Sequence, residues 1–388
     1  MTSPFFSIVI PTRQRHDTLQ YAIQTVLNQS YEDFELIIMD NMSTEETRLV
    51  VESFQDDRIK YHRSEERLTM SENWEKGLSY AEGEFIFFLG DDDGILPDAL
   101  SVGARILKDS QHSILAWDRD TCCYWWKSCI LKHLQNMLLI KLTEPRLVSI
   151  NAKEALQRVY RFESSYHILP MIYSSFIHRD LIFEIMLVHG QYFCNDIPDV
   201  YSGIVNAYFS DSYLYSFRPL SITGVSGHST GISSSFPHIS DKASSEYSHE
   251  IKSRGYSLEN HPALMTNNRS IFFQVTDTFL KTKDLFFKDD DDIQVDMKNF
   301  LIFLSGCFGY NAETFEEETS LIKELTEKYN IPSSEIPLPQ KKSGSFIRYR
   351  GIDFRDGSPV VINIDCELLG INNVAEATQL AYSMLAEI

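Results

Sequence analysis

The sequence predicts an α/β fold: a doubly wound, mostly parallel sheet, followed by a mostly helical α+β extension. Three observations carry that expectation. Short apolar runs alternate with stretches whose apolar residues recur at helical spacing over the first hundred residues. The links between them are short, as strand–helix crossovers require. Two of the apolar runs end directly in carboxylates, at Asp40 and at Asp91-Asp92-Asp93. In open α/β sheets ligands bind at the carboxyl ends of the strands, so that placement marks a candidate site.

Taken in order, Phe6-Ser-Ile-Val-Ile10 is a short apolar run stopped by Pro11 and reads as a buried strand. From Thr18 to Gln29, residues Leu19, Ala22, Ile23, Val26 and Leu27 form the stripe of a helix packed on a sheet. Phe34 to Met39 is the second strand. Thr44 to Phe54 reads as a helix and Ile59 to Tyr61 as a brief strand. Ser71 to Glu82 is predicted helical, with Ser71 as N-cap and Gly83 at its end. Glu84 to Leu89 is the next strand, and Pro97 opens a helix reaching about Lys108.

The middle of the chain is less regular. His112 to Trp126 suggests one or two strands, and Asn151 to Phe162 and Asp180 to His189 suggest helices. Val200 to Phe209 follows Asp199 as a further helix, and Tyr213 to Thr223 reads as one strand. Ser226 to Ser235, rich in Ser and Gly, reads as a mobile loop. A boundary is expected there, giving one domain over 1–235 and a second over 236–388. In the second, Asn267 to Lys281 and Thr314 to Tyr329 look helical. Phe346 to Ile364 looks like a hairpin turning near Asp356-Gly357, and a last helix starts at Val374.

Composition limits the function classes. The chain of 388 residues carries a net charge of −20, which repels phosphate backbones and argues against nucleic acid as a partner. A nucleotide can still bind where a divalent cation bridges carboxylates to phosphates. The six cysteines include no Cys-x-x-Cys pair, so neither a zinc site nor a disulfide framework is indicated. No apolar run reaches the ~20 residues of a membrane span. The opening segment shows no basic leader or cleavage pattern, so a cytoplasmic location is expected.

Leu89-Gly-Asp-Asp-Asp-Gly94 is the most informative segment. Three successive carboxylates repel one another unless solvated or neutralised, and hard oxygen ligands of this kind suit Mg²⁺ or Mn²⁺ shared with phosphates. The flanking glycines allow close approach of a ligand. Asp40-Asn41 ends the second strand, where a carboxylate commonly accepts hydrogen bonds from a base or ribose; an Asx turn or a helix cap explains it equally. Arg13 and Arg15 could fork onto a phosphate or be ordinary surface cations. His228 could serve as a metal ligand or diphosphate contact from a loop closing over the ligand, or be merely solvated. The acidic run Asp289 to Asp292 has no strand leading into it and reads as solvated loop.

Together these segments resemble the family 2 glycosyltransferases of the GT-A fold. The carriers are Ser7-Ile-Val-Ile-Pro-Thr-Arg13, Leu19 to Gln29 with Ser30-Tyr31, and Leu36-Ile-Ile-Met-Asp-Asn41 with Ser43. Asn73-Trp-Glu-Lys-Gly-Leu78 and Gly83 to Asp93, followed by Pro97-Asp98, complete the ordered set. The resemblance implies transfer of a sugar from a nucleotide-sugar donor, a UDP-sugar above all, to an acceptor hydroxyl with inversion. It places Pro11, Thr12, Arg13, Arg15, Asp40, Asn41, Asn73 and Asp91 around the donor. The family's Asp-x-Asp metal motif falls on Gly90 and Asp92, a departure. That leaves Asp92 as the leading ligand for Mn²⁺ or Mg²⁺, Asp93 as an auxiliary carboxylate, and Asp91 as a ribose contact or support. The general base would be Asp199, with Asp196 as second choice; Asp199 could equally be an N-cap.

By the same analogy the setting is surface-polysaccharide assembly with a glycan or lipid-linked acceptor. That leaves room for peripheral contact with the inner membrane face and for a homo-oligomer, although no basic amphipathic anchor stands out. Two alternatives remain. A sugar-phosphate nucleotidyltransferase would want a Gly-rich phosphate loop, and Pro11-Thr-Arg-Gln-Arg15 has no glycine. Gly90 in place of an Asp keeps a non-catalytic binding protein in play.

Overall fold

A computed structural model describes residues 3–236, 239–268, 270–309, 314–342, 351–353 and 360–385. The chain opens as β1 (Phe6–Thr12), α1 (His16–Leu27), β2 (Phe34–Asp40), α2 (Glu45–Ser53), β3 (Ile59–Arg63), α3 (Met70–Leu78), β4 (Phe85–Phe88), β5 (Gly94–Ile95) and α4 (Ala99–Asp109). It continues through β6 (Ile114–Trp117), β7 (Cys122–Trp125), β8 (Met137–Leu142), β9 (Leu147–Asn151), α5 (Ala152–Tyr160), β10 (Ser175–His178), α6 (Arg179–His189), α7 (Pro198–Tyr208), β11 (Ser212–Ser216) and β12 (Ser221–Val225). The remainder is α8 (Thr230–Ser235), α9 (Lys242–Ser253), α10 (Ile271–Phe286), α11 (Met297–Cys307), α12 (Phe315–Lys328), β13 (Gly351–Asp353), β14 (Val360–Asp365) and α13 (Val374–Met384).

Among the described residues, eight strands form the main sheet in the order β3-β2-β1-β4-β10-β6-β11-β9. The β3-β2-β1-β4 half is parallel, whereas β10 and β9 run antiparallel to their neighbours. Every residue of β1 and β2 is buried, which is why both read as continuous apolar runs rather than alternating ones. Ile8, Ile10, Leu36 and Ile38 face Leu19, Ile23 and Val26 of α1 in one core. Val9, Ile37 and Phe88 face the opposite core, with Trp74 of α3 and Ile204 of α7. Each such fully buried side chain contributes ~1.5–3 kcal/mol from water exclusion. The register Phe6↔Phe34 through Thr12↔Asp40 ends β1 and β2 level, so their following turns meet at one edge.

A second, six-stranded sheet has the order β13-β14-β8-β7-β12-β5. The chain's last strand returns to it: β14 pairs antiparallel with β8 from Val360↔Leu142 to Asp365↔Met137. Helix α13 then packs beside β5, where a Cβ built at Gly94 would lie 2.6 Å from Thr378 Oγ1. Helices α10, α11 and α12 gather a third core around Phe273, Phe300, Leu304, Ile322 and Leu325.

Several local expectations are corrected. The N-cap of α3 is Thr69, not Ser71. Thr69 and Glu72 form a reciprocal capping box, while the Ser71 hydroxyl donates to the Asn195 carbonyl. The stretch from Tyr213 to Thr223 is two strands in different sheets. It breaks where Pro219 removes a ladder donor and buried Arg218 turns to pair with Asp98 at 3.0 Å. Ser226 to Ser235 is a turn plus the short α8, because its serines bond the acidic loop. Asp199 lies one residue inside α7, behind Pro198, so it caps nothing by its side chain; the N-cap is Ile197. The expected hairpin is present as β13 and β14, and its turn at Asp356-Gly357 lies outside the described residues.

Candidate active site

The carboxyl edge of β1 and β2 opens into a cavity of about 590 Å³. Its floor is the β1–α1 turn, Pro11 to Arg15, with Asn41, Asn73, Trp74, Asp91 and Tyr173; one rim is 227–230 and the far wall is α9. The two turns at the edge are tied together. Gln14, at a left-handed φ of 57°, donates its N–H to Ser43 Oγ at 2.9 Å. Its side-chain carbonyl accepts from the Thr44 hydroxyl at 3.0 Å. This fixes Arg13 and Arg15 on either side of a bend that few non-glycine residues adopt.

Asp91 is 3% exposed and fully engaged. Thr12 Oγ1 donates to its Oδ2 at 2.8 Å and Arg15 Nη1 to its Oδ1 at 2.9 Å. Burial raises its carboxyl above the usual range, with Arg15 opposing and Asp92 adding to the rise. Burial disfavours the Arg15 charge too, but the Asp91 carboxylate outweighs it and holds the guanidinium protonated. Arg15 Nη2 also donates to the His228 carbonyl at 2.6 Å, which ties the 226–229 turn down over the cavity.

Asp92 and Asp93 are buried and held from the other side by β12 and the turn after it. Asp92 Oδ2 accepts from the Ser226 N–H at 3.2 Å and the Ser229 hydroxyl at 3.0 Å. The Asp92 carbonyl accepts from the Trp126 indole at 2.9 Å. Asp93 Oδ1 accepts from the Gly224 N–H at 2.6 Å, and Arg119 lies 3.8 Å from Oδ2. Burial pushes the Asp93 carboxyl up to about 7, against the pull of Arg119. The departure at Gly90 has a steric explanation. A Cβ there would sit 2.6 Å from Asp93 Oδ2, so the Asp93 carboxylate takes the space a side chain at 90 would need.

The other sequence-derived candidates divide. Asn41 and Asn73 both line the cavity. Asn41 is spent on the Leu68 backbone, donating at 2.7 Å and accepting at 2.8 Å. Asn73 donates to the Met39 carbonyl at 3.3 Å, and its buried Oδ1 has no partner among the described residues. Asp40 is wholly buried and does not line the cavity. Its carboxylate accepts from the Tyr61 hydroxyl at 2.6 Å and the Ser43 N–H at 2.9 Å, organising the turn behind the floor.

Asp199 is partly exposed in the first turn of α7 and does not line the cavity. Tyr173, which does, connects the two. Its hydroxyl is raised well above its ordinary pKa by burial and then by the nearby charges of Asp93, Asp199 and Asp91. Asp196 lines a separate cavity with Glu72 and Lys281, because Asn195 Oδ1 accepts the Ile197 N–H and turns that loop away. His228 is exposed at the cavity rim.

Sequence reasoning missed Tyr173, Ser226, Ser229 and the whole of α9. Helix α9 supplies Lys242, Glu246, Tyr247, His249 and Glu250 to the wall. The only available signal was the i, i+4 spacing of Glu246 and Glu250, too common to single out a site.

A metal fits this donor set only in a limited way. Among the described residues, no three His, Cys, Asp or Glu side chains converge as a ready cluster. Asp92 Oδ1, in contrast to Oδ2, accepts no hydrogen bond from the described residues, although Asp92 itself lies behind the cavity lining. One carboxylate oxygen completed by phosphates and water is how Mg²⁺ is commonly held beside a nucleotide.

Residues 7–160 match the family model described as Glycosyl transferase family 2. Over 101 residues the chain is 41% identical to the GalNAc(5)-diNAcBac-PP-undecaprenol beta-1,3-glucosyltransferase of Campylobacter jejuni, covering 25% of this chain and 33% of that protein. Over 109 residues it is 37% identical to the UDP-Glc:alpha-D-GlcNAc-diphosphoundecaprenol beta-1,3-glucosyltransferase WfgD of Escherichia coli, covering 28% of this chain and 43% of that protein. The chain thus spans less than half the length of these curated relatives. The crystal structure of S. aureus TarS 1-349 in complex with UDP-GlcNAc aligns over 92% of this chain and 98% of that one. The identity there is 14% and the TM-score 0.46, too distant a likeness to argue from.

Proposed function

From the match of residues 7–160 to the family 2 glycosyltransferase model we propose that the chain is an inverting transferase of that family. It would move a sugar from a nucleotide-sugar donor, a UDP-sugar by preference, to a hydroxyl of a glycan or lipid-linked acceptor. The two relatives named above act on undecaprenol-linked acceptors by their names, which favours a lipid-linked acceptor and surface-polysaccharide synthesis here. A membrane-bound acceptor would bring the chain to the inner membrane face. We propose that this contact is peripheral; among the described residues no helix is long and apolar enough to cross a membrane. We assign the transfer chemistry to 1–235 and acceptor binding or oligomerisation to 236–388.

The observation that carries the reading is the meeting of Thr12, Arg13, Arg15 and Asp91 at one cavity, on the strand ends that the family match covers. The Pro11 to Arg13 turn and Asn41 would receive the base and ribose, with Asp40 holding their frame. Asn73 Oδ1, buried and without a partner among the described residues, would be a further acceptor for a donor hydroxyl. Arg13 would face the diphosphate.

Asp92, with support from Asp93 and His228, would hold Mn²⁺ or Mg²⁺, whose charge stabilises the leaving diphosphate. Asp199 is the proposed general base, taking the acceptor hydroxyl proton as that oxygen attacks the anomeric carbon and the diphosphate leaves. Asp196, in the neighbouring cavity, is the second choice. The test is donor turnover with a lipid-linked acceptor in the presence of Mn²⁺. Asp92→Asn and Asp199→Asn should each lose at least ~10²-fold in kcat while keeping the wild-type circular dichroism. Full activity in folded Asp199→Asn would contradict its role as base.

A further inference from the structure

We propose that Glu250 of α9 is the resident counter-ion of the donor cavity, pairing with Arg13 and Arg67 until the donor's diphosphate displaces it. The inference rests on the donor reading above and adds a residue from outside the family-matched segment.

Three guanidiniums line the cavity: Arg13, Arg15 and Arg67. Arg15 is committed to Asp91 and the His228 carbonyl. The other two converge on one oxygen. Glu250 Oε2 pairs with Arg13 Nη1 and lies 3.4 Å from Arg67 Nε. Glu246, one turn earlier on the same helix, reaches Arg13 only at 4.0 Å. Glu250 is 3% exposed, whereas Glu246 is half exposed, so the inner carboxylate carries the pairing.

A lone carboxylate buried at this depth would be costly, and two unpaired guanidiniums side by side would repel each other. Glu250 therefore settles the empty cavity. It does so incompletely, because one negative charge meets two positive ones. A diphosphate offers more charge and more acceptor oxygens to the same planar N–H groups. A phosphate closing on Arg13 Nη1 and Arg67 Nε meets the like charge of the Glu250 carboxylate already placed between them, so donor binding and the Glu250 contact compete.

The competition has a structural consequence. Tyr247 and His249, on the same helix, line both the donor cavity and a neighbouring one of about 910 Å³. A shift of α9 on releasing Glu250 would therefore be felt in that second cavity.

Calorimetric titration with UDP in the presence of Mn²⁺ tests the proposal on the full chain. Glu250→Gln keeps the shape and removes the competing charge. It is expected to bind UDP about tenfold more tightly, as removal of a contact occupying the site nine-tenths of the time would give. Glu246→Gln should stay within about twofold of wild type. If Glu250→Gln fails to fold, Glu250→Asp, whose shorter side chain loosens the pairing, should tighten binding by a smaller factor. A purely structural role for Glu250 predicts the opposite sign, since loosening the wall would weaken UDP binding. Equal or weaker binding by a folded variant, with wild type binding UDP normally, overturns this proposal alone. Absence of UDP binding by wild type and variants alike overturns the donor reading with it.

Discussion

The two walls of the cavity are built on different principles. The floor, from β1, β2 and the segment after β4, is assembled from residues that each sit at the end of a strand. Parallel register brings Thr12 level with Asp40, and the turn after β4 carries Asp91 to Thr12 and Arg15. The opposite wall comes from β12, the 226–229 turn and α9, which reach the site over more than a hundred residues of chain. The floor supplies charge on a rigid sheet. The wall supplies the donors that hold Asp92 and Asp93 and the carboxylate that answers Arg13. The lesson is that the acidic triplet is organised from both sides, and neither alone makes a site.

The strongest way to break that arrangement is at β12. A Cβ at Gly224 would fall 1.7 Å from the Asp92 carbonyl oxygen, and backbone cannot yield as a flexible side chain does. Gly224→Ala should cost about 3 kcal/mol or more and abolish nucleotide binding, read by thermal melting and calorimetry. The floor should be less brittle. Asp91→Ala removes the partner of a half-buried Arg15 and frees Thr12, so a loss of about 2–3 kcal/mol is expected in urea unfolding, below that of a fully buried pair.

A smaller effect sharpens the comparison through pH. The Asp93 carboxyl is raised to about 7 in the folded chain against an ordinary 3.8, so folding favours its protonated form. The stability it contributes is full below pH 4 and is lost as pH rises through 7. This contribution to the melting temperature should therefore fall between about pH 4 and pH 7 and level off above, and Asp93→Asn should flatten the slope. At the far end, Lys153 pairs with Asp290 and Asp292 on the surface, remote from both walls. Lys153→Ala should leave melting and UDP binding unchanged, which identifies the second acidic run as solvated surface.

How far the sequence reveals this molecule follows the same divide. The β1 to α4 alternation is legible because two-sided burial of β1 and β2 writes uninterrupted apolar runs, and α1 writes a clean stripe. Thr12, Arg15 and Asp91 are legible because each lies at or within three residues of the end of such a strand. Helix α9 is not, since its buried face is only Tyr247, Glu250 and Ile251 in a Ser- and charge-rich stretch. Tyr213 to Thr223 misleads because its apolar residues serve two sheets in turn, with the break carried by Pro219 and the buried Arg218–Asp98 pair. The return of β14 to β8 is a pairing across more than two hundred residues, which local pattern does not encode.

This edge is proposed to bind a nucleoside diphosphate together with a divalent cation. Calorimetry with UDP, GDP, dTDP and CMP, each with and without Mn²⁺, tests it most directly. UDP should bind, Mn²⁺ should strengthen the binding at least tenfold, and Asp92→Asn should remove the metal's effect without removing the fold. Binding of none of the four, or binding of UDP with the same affinity in wild type and Asp92→Asn whatever the metal, would contradict it.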